Sequence, residues 1–269
     1  LSIRRQRQMC IRDSFEAMDY ILVRGQVTSY QGSNQLNIQQ IRKAQEGEFD
    51  MADYMPSTKK DIDGMFKELL AMISKTKNQY LKQLAEKIFI KDKNFAREFK
   101  VHSAAKSVHH GYIGGLLEHS LSVAKICESY ANLYPQLNRD LIVMCALWHD
   151  MGKVEELSSF PENDYTDEGQ LVGHIVMGAI KLDRLIREIP GFPPKLANEV
   201  KHCMLAHHGE LEFGSPKKPA LLEAIALSQA DNLDAKMETF AEIMEKQKED
   251  QEWSGFQRLL DTRIRKTSI

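Results

Sequence analysis

Three features of the sequence predict a mainly α-helical fold with a short β segment in front of it. Apolar residues recur at helical spacing from Asp61 to about residue 250, and period-two alternation is confined to a stretch between Ile21 and Ile41. The longest uninterrupted apolar run, Leu141 to Trp148, leads into the polar doublet His149-Asp150. That run is far short of the roughly 20 residues needed to cross a bilayer, so it reads as a buried helix.

Composition sets the outer bounds. A chain of 269 residues with 42% hydrophobic and 28% charged residues has room for one large domain and a small one, and a membrane-embedded protein is not expected. The four cysteines, Cys10, Cys127, Cys145 and Cys203, form no CxxC pair. Three of them lie in apolar helical patterns, which predicts reduced, packed thiols in a cytoplasmic protein and no disulfide framework.

The elements follow in chain order. Residues 1–14, with Arg4, Arg5, Arg7 and Arg12, have neither apolar periodicity nor the layout of a signal peptide. The run RRQRQMCIRDS resembles translated adapter sequence, so 1–14 is set aside as non-native or disordered, with the natural chain beginning further upstream. Ile21, Val23, Val27 and Tyr30, then Leu36, Ile38 and Ile41, alternate on either side of Gly32-Ser33-Asn34 and predict a hairpin over 15–43. Two strands alone are marginal in water, so the hairpin is expected to be the remnant of a small β-barrel.

Residues 44–60 read as a polar linker, and the helical domain is expected over 61–250 with a tail at 251–269. Asp61 is an N-cap for a helix carrying Met65, Phe66, Leu69, Leu70, Met72 and Ile73, followed by one with Tyr80, Leu81, Leu84 and Ile88. Further helices are predicted at 115–133, 138–150, 169–188, 195–207 and 219–247, parted by Pro135, Pro161, Pro190-Gly191 and Gly209.

Metal-type donors recur along these helices in one order: His119, His149-Asp150 followed by Gly152-Lys153, His174, His207-His208 and Asp231. A single histidine on an apolar helix is ordinarily a hydrogen-bonded core residue; the ordered set is what argues for metal. Histidine with carboxylate suits Mn, Fe, Co, Ni or Zn, and the absence of cysteine from the set argues against a structural zinc knot. His119 sits among Leu116, Leu117, Leu121, Val123 and Ile126, where an unpaired ring would be costly. The expected outcome is several helices converging on one hydrolytic centre. Lys153, one turn beyond the doublet, is placed to neutralise a phosphate oxygen or to protonate a leaving group, with a solvated lysine as the ordinary alternative.

The order His, His-Asp, His, His-His, Asp resembles the HD-domain metallohydrolase superfamily. More narrowly, AAKSVHHGYIGGLLEHSLSV from Ala104 to Val123, with LWHDMGK, GHIVMG, HCMLAHHGELEFGSP and ALSQADNLDAKM, is similar to the YhaM-type 3'-5' exoribonucleases. The resemblance covers nearly all of the chain after residue 17. It implies an all-helical HD domain preceded by an OB-fold nucleic-acid-binding domain, of which only a partial, OB-like hairpin is present here. It assigns His119, His149, Asp150 and Asp231 to a first divalent ion, and His174, His207 and His208 to a second, with Asp150 bridging. Mn, Co or Fe is favoured over Zn or Ni. Asp150 and Lys153 are the catalytic candidates.

Substrate-binding candidates are Lys106, His109 and His110, which precede the glycine-rich approach Gly111, Gly114 and Gly115, together with His202, read as structural or supporting. Net charge is only -2, yet residues 59–106 hold twelve Lys or Arg against six Asp or Glu, which is either a phosphate track or a solvated helical face. Tyr30, Tyr54, Phe95, Phe99 and Tyr112 are candidates for base stacking or for the core.

The expected activity is hydrolysis of single-stranded RNA from its 3' end, extending to single-stranded DNA. The competing readings are an HD phosphodiesterase of small nucleotides or cyclic dinucleotides, a di-iron oxidative site, and a non-catalytic RNA-binding protein. The hairpin edge and the long final helix offer contacts for a homo-oligomer.

Overall fold

The structure, a computed structural model, describes residues 15–16, 19–30, 33–49, 55–106, 110–247, 251–258 and 260–268. The expectations for residues 1–14, Cys10, Gly32, Tyr54 and His109, and for the side chain of Tyr30, lie outside these. The chain divides into two units at Pro56/Ser57.

The first unit holds an antiparallel hairpin, β1 (Ile21–Tyr30) and β2 (Ser33–Lys43), with Val23 opposite Ile41 and Val27 opposite Leu36. The alternation that predicted it is interrupted once. A bulge at Arg24/Gly25 leaves Arg24 opposite Gln40 and Gly25 opposite Ile38, so the apolar residues stay on one face despite the extra residue in β2. Val27, Leu36 and Ile38 on that face are exposed. After β2, Arg42 grips Glu48 with two hydrogen bonds of 2.7 Å.

The second unit is helical. Its elements are α1 (Ile62–Ser74), α2 (Gln79–Glu86, running into a π turn at Lys87–Lys91), α3 (Lys93–Val101), α4 (Gly115–Leu133), α5 (Arg139–Trp148), α6 (Lys153–Glu156), α7 (Asp167–Val172), α8 (His174–Arg187), α9 (Pro194–Leu205) and α10 (Leu222–Lys246). Side-chain caps start many of them. Asp61, Asn78, Asp92, Asn138 and Thr166 each accept a backbone N–H of the first turn, a contribution of about 1 kcal/mol apiece. Asp140 ties two elements together by accepting the N–H groups of Lys77 and Asn78 at 2.8 and 2.7 Å.

Packing is centred on α4 and α5. Every residue from Leu141 to Trp148 is buried, because α5 is covered by α2, α4, α9 and α10. A helix that is apolar all round can only sit in the core. Cys127, Cys145 and Cys203 are buried free thiols in this core. Among the described residues no helix is long and apolar enough to cross a membrane.

The structure corrects the sequence reading in three places and adds detail in the C-terminal tail. The single helix expected at 169–188 is two, α7 and α8, because Gly173 takes a φ of +76° that L side chains rarely adopt. Helix α3 was not anticipated; Phe95, Ala96 and Phe99 bury its apolar side. Residues 57–60 belong to the helical unit rather than to a linker: Ser57 bridges Ile113, the Thr58 hydroxyl bonds Glu118, and Lys60 pairs with Glu118 at 2.7 Å. Residues beyond 250 carry antiparallel bridges, Trp253 with Arg265 and Gln257 with Thr262, and bury Ile264.

Candidate metal centre

The donors predicted from sequence come together from five elements. His149 and Asp150 follow the last turn of α5, His119 projects from α4, His174 opens α8, His207 and His208 follow α9, and Asp231 lies on α10. Backbone contact sets part of this arrangement. A Cβ on Gly152 would stand 2.1 Å from the carbonyl oxygen of His174, so only glycine lets the start of α8 lie against the chain leaving Asp150.

Each of the five histidines has its Nδ1–H committed to an acceptor. His149 donates to Ala146 O at 2.8 Å, His207 to Met204 O at 2.7 Å and His208 to Phe213 O at 2.8 Å. His119 donates to Asp234 Oδ2 at 2.7 Å and His174 to Glu156 Oε1 at 2.9 Å. With Nδ1 protonated, the lone pair of a neutral ring is on Nε2. The Nε2 atoms of all five are thereby prepared as ligands.

These atoms then crowd together. His119 Nε2 is 3.2 Å from His149 Nε2, 3.1 Å from Asp231 Oδ1 and 3.5 Å from Asp150 Oδ2. His149 Nε2 is 3.3 Å from Asp150 Oδ2 and 3.8 Å from Asp231 Oδ1. The other oxygen, Asp150 Oδ1, is 3.5 Å from both His174 Nε2 and His207 Nε2, with His208 in the same group. Ligands about 2.1 Å from one ion lie roughly 3.0 to 3.4 Å apart in octahedral or tetrahedral arrangement, and three of the five distances in the first set fall in that range.

The donor set fits a cation on a second ground. Asp150 Oδ1, His174 Nε2 and His207 Nε2 are buried with no hydrogen-bond partner, a state that a protein interior seldom tolerates. Electrostatics point the same way. Burial opposes ionisation of Asp150, yet Lys153, whose Nζ is 2.7 Å from Oδ2, and His149 hold it well below the usual carboxylate range; Asp231 is likewise held low, against burial, by His119 and His149. For His149 burial is outweighed by Asp150 and Asp231, which push the ring up to about 10. The pocket is thus a negative site that holds protons when it holds no cation.

Two carboxylates were missed in the sequence. Asp234 accepts from His119, from His110 Nε2–H at 3.0 Å and from Ser122. Glu156 accepts both the ring N–H and, at 2.9 Å, the backbone N–H of His174. The available signal was helical spacing: Asp234 is three residues after Asp231, and Glu156 three after Lys153.

The substrate-binding candidates do not converge in the same way. Lys106 is at the surface, paired with Asp164 at 2.6 Å. His110 is buried, with one ring nitrogen on Asp234 and the other on the Tyr112 hydroxyl at 3.0 Å, so it braces His119 and has no free edge for a substrate. His202 Nε2 accepts the N–H of Ala220 at 2.8 Å and fastens the segment before α10. Phe95 and Phe99 are core residues, and Tyr112 also bonds Glu118 at 3.2 Å. In the basic stretch, Lys59, Lys60, Lys87, Arg97, Lys100 and Lys106 are taken up in ion pairs, which weakens the phosphate-track reading.

The HD domain family matches residues 116–236, a span that contains all seven donors predicted from sequence, from His119 to Asp231. A 3'-5' exoribonuclease YhaM of Bacillus velezensis is 35% identical over 225 residues, 83% of this chain and 70% of that protein. One from a Geobacillus strain is 34% identical over 229 residues, 85% of this chain and 69% of that protein. No solved structure matches. With the donors of the HD pattern gathered at one buried point and relatives of this similarity along most of its length, the chain belongs to the HD-domain hydrolases, in the family of the YhaM 3'-5' exoribonucleases.

Proposed function

We propose that the protein is a metal-dependent exonuclease that removes nucleotides from the 3' end of single-stranded RNA, and of single-stranded DNA, by hydrolysing phosphodiester bonds. The observation that carries this reading is the division of donors about Asp150. Its Oδ2 lies 3.5 Å from His119 Nε2 and 3.3 Å from His149 Nε2, its Oδ1 lies 3.5 Å from both His174 Nε2 and His207 Nε2, and Asp231 stands beside the first pair and His208 beside the second. That division supports two divalent ions with Asp150 shared between them, Mn, Co or Fe being favoured by the histidine and carboxylate donors. Such ions supply Lewis acidity toward a phosphodiester and make water a competent nucleophile near neutral pH.

The chain's own residues do the rest. Ala146, Met204, Phe213, Asp234 and Glu156 orient the five rings through Nδ1, so that each Nε2 points at the site as the ligand atom once it is free of a proton. Burial of His149 and His207 keeps bulk water from the inner wall. Lys153, held at Asp150, positions its ammonium to bind a non-bridging phosphate oxygen and to carry a proton toward the departing 3' oxygen.

The test is incubation of 5'-end-labelled single-stranded RNA with the protein and Mn, beside Asp150→Ala, with single-stranded DNA and a cyclic dinucleotide in parallel. The expected result is stepwise shortening from the 3' end that disappears with EDTA and in the variant. Cleavage of the cyclic dinucleotide alone, or full activity in Asp150→Ala, would overturn the proposal.

A further inference from the structure

The donor cluster is unevenly covered. His119, His149, Asp150 and His207 are closed off, whereas His174, His208 and Asp231 are only half-buried, and the His174 and His208 rings lie 5.2 Å apart. The half-buried His174–His208 edge is one way open to the cluster. Two apolar flanks border that edge. Leu171, 85% exposed, and Val172 come just before His174, and the turn Leu211–Phe213 follows His208.

Phe213 stands out on this rim. Its side chain is 65% exposed, which for a lone surface phenylalanine would mean little. Here its backbone carbonyl is the acceptor of His208 Nδ1–H, so the residue is joined directly to a donor of the centre. The loop that carries it is also braced. Phe213 N–H and Ser215 N–H both reach Glu210 O, at 3.1 and 3.3 Å, and the Ser215 hydroxyl bonds Leu205 O at 3.0 Å. A braced loop that carries an exposed aromatic ring loses less entropy when a ligand is ordered against it.

We infer that Phe213 is the stacking platform for the 3'-terminal nucleobase of the substrate. This rests on the exonuclease reading and adds to it a sequence-tolerant hold, since every base has a π face and phenylalanine has no hydrogen-bonding atom with which to choose among them.

Two measurements test it. A single-stranded RNA oligonucleotide ending in 2-aminopurine is titrated with the protein in EDTA, where no turnover occurs. The wild type quenches the fluorescence; Phe213→Ala binds about tenfold more weakly without quenching, and Phe213→Trp restores both. With Mn, kcat/KM for an intact oligonucleotide over that for one with an abasic 3' terminus is about ten in the wild type and about one in Phe213→Ala. Quenching and ratios that are the same in Phe213→Ala and wild type overturn the inference. If the wild type degrades neither oligonucleotide, the exonuclease reading fails and takes the inference with it.

Discussion

Asp234 Oδ2 lies 2.7 Å from His119 Nδ1, although the two residues are 115 positions apart. The same carboxylate takes His110 and Ser122, so one buried acid joins α4, the turn before it and α10. Removing it frees the His119 ring to rotate and to exchange tautomers. Asp234→Ala is expected to weaken Mn binding about 10- to 100-fold, with the far-UV circular dichroism of the wild type. Isothermal titration measures this; unchanged affinity would leave Asp234 a packing residue.

Glu156 serves His174 in the same way and also accepts its backbone N–H, thereby fixing both the ring and the first turn of α8. Glu156→Ala should reduce the metal bound at saturation toward the value of His174→Ala. Glu156→Gln keeps an oxygen acceptor and should fall between the variant and the wild type. Metal content after gel filtration reads the three directly, and equal content in all would contradict the assignment.

Proton release should accompany metal loading. In the ion-free protein burial disfavours charge on His119 and His149, but the neighbouring carboxylates prevail and raise both, His149 to about 10. The His149 ring therefore carries a proton at neutral pH, and an ion must displace it. Affinity for Mn should therefore fall as pH is lowered. The sign for stability is opposite in the ion-free state: the raised histidines stabilise it fully below their ordinary value of 6.5, and that contribution is lost as pH rises toward about 10. Titration calorimetry in two buffers of different ionisation heat checks the release; identical enthalpies would exclude it.

Gly152→Ala should damage fold and centre together. The added Cβ meets a backbone carbonyl at 2.1 Å, and backbone cannot swing aside as a side chain can. A loss of about 3 kcal/mol in unfolding free energy is expected, with lower metal content. Thermal melts with and without Mn measure both effects. A variant with wild-type stability would mean that α8 shifts without cost.

Much of this molecule is local and was legible in residue order. The caps Asp61 and Asn138, the apolar repeat of α1 and the all-apolar α5 act within a turn or two, so the pattern alone predicts them. The sequence by itself also determined the donor series from His119 to Asp231, because helical spacing and residue type are enough to mark them as metal-type side chains. Only the tertiary structure decided which acids serve which rings, that His110 and His202 are taken up internally, and that the two oxygens of Asp150 face different histidines. Those facts depend on contacts between distant elements. No periodicity records a hydrogen bond across 115 residues, or the break at Gly173 that turns His174 toward the site.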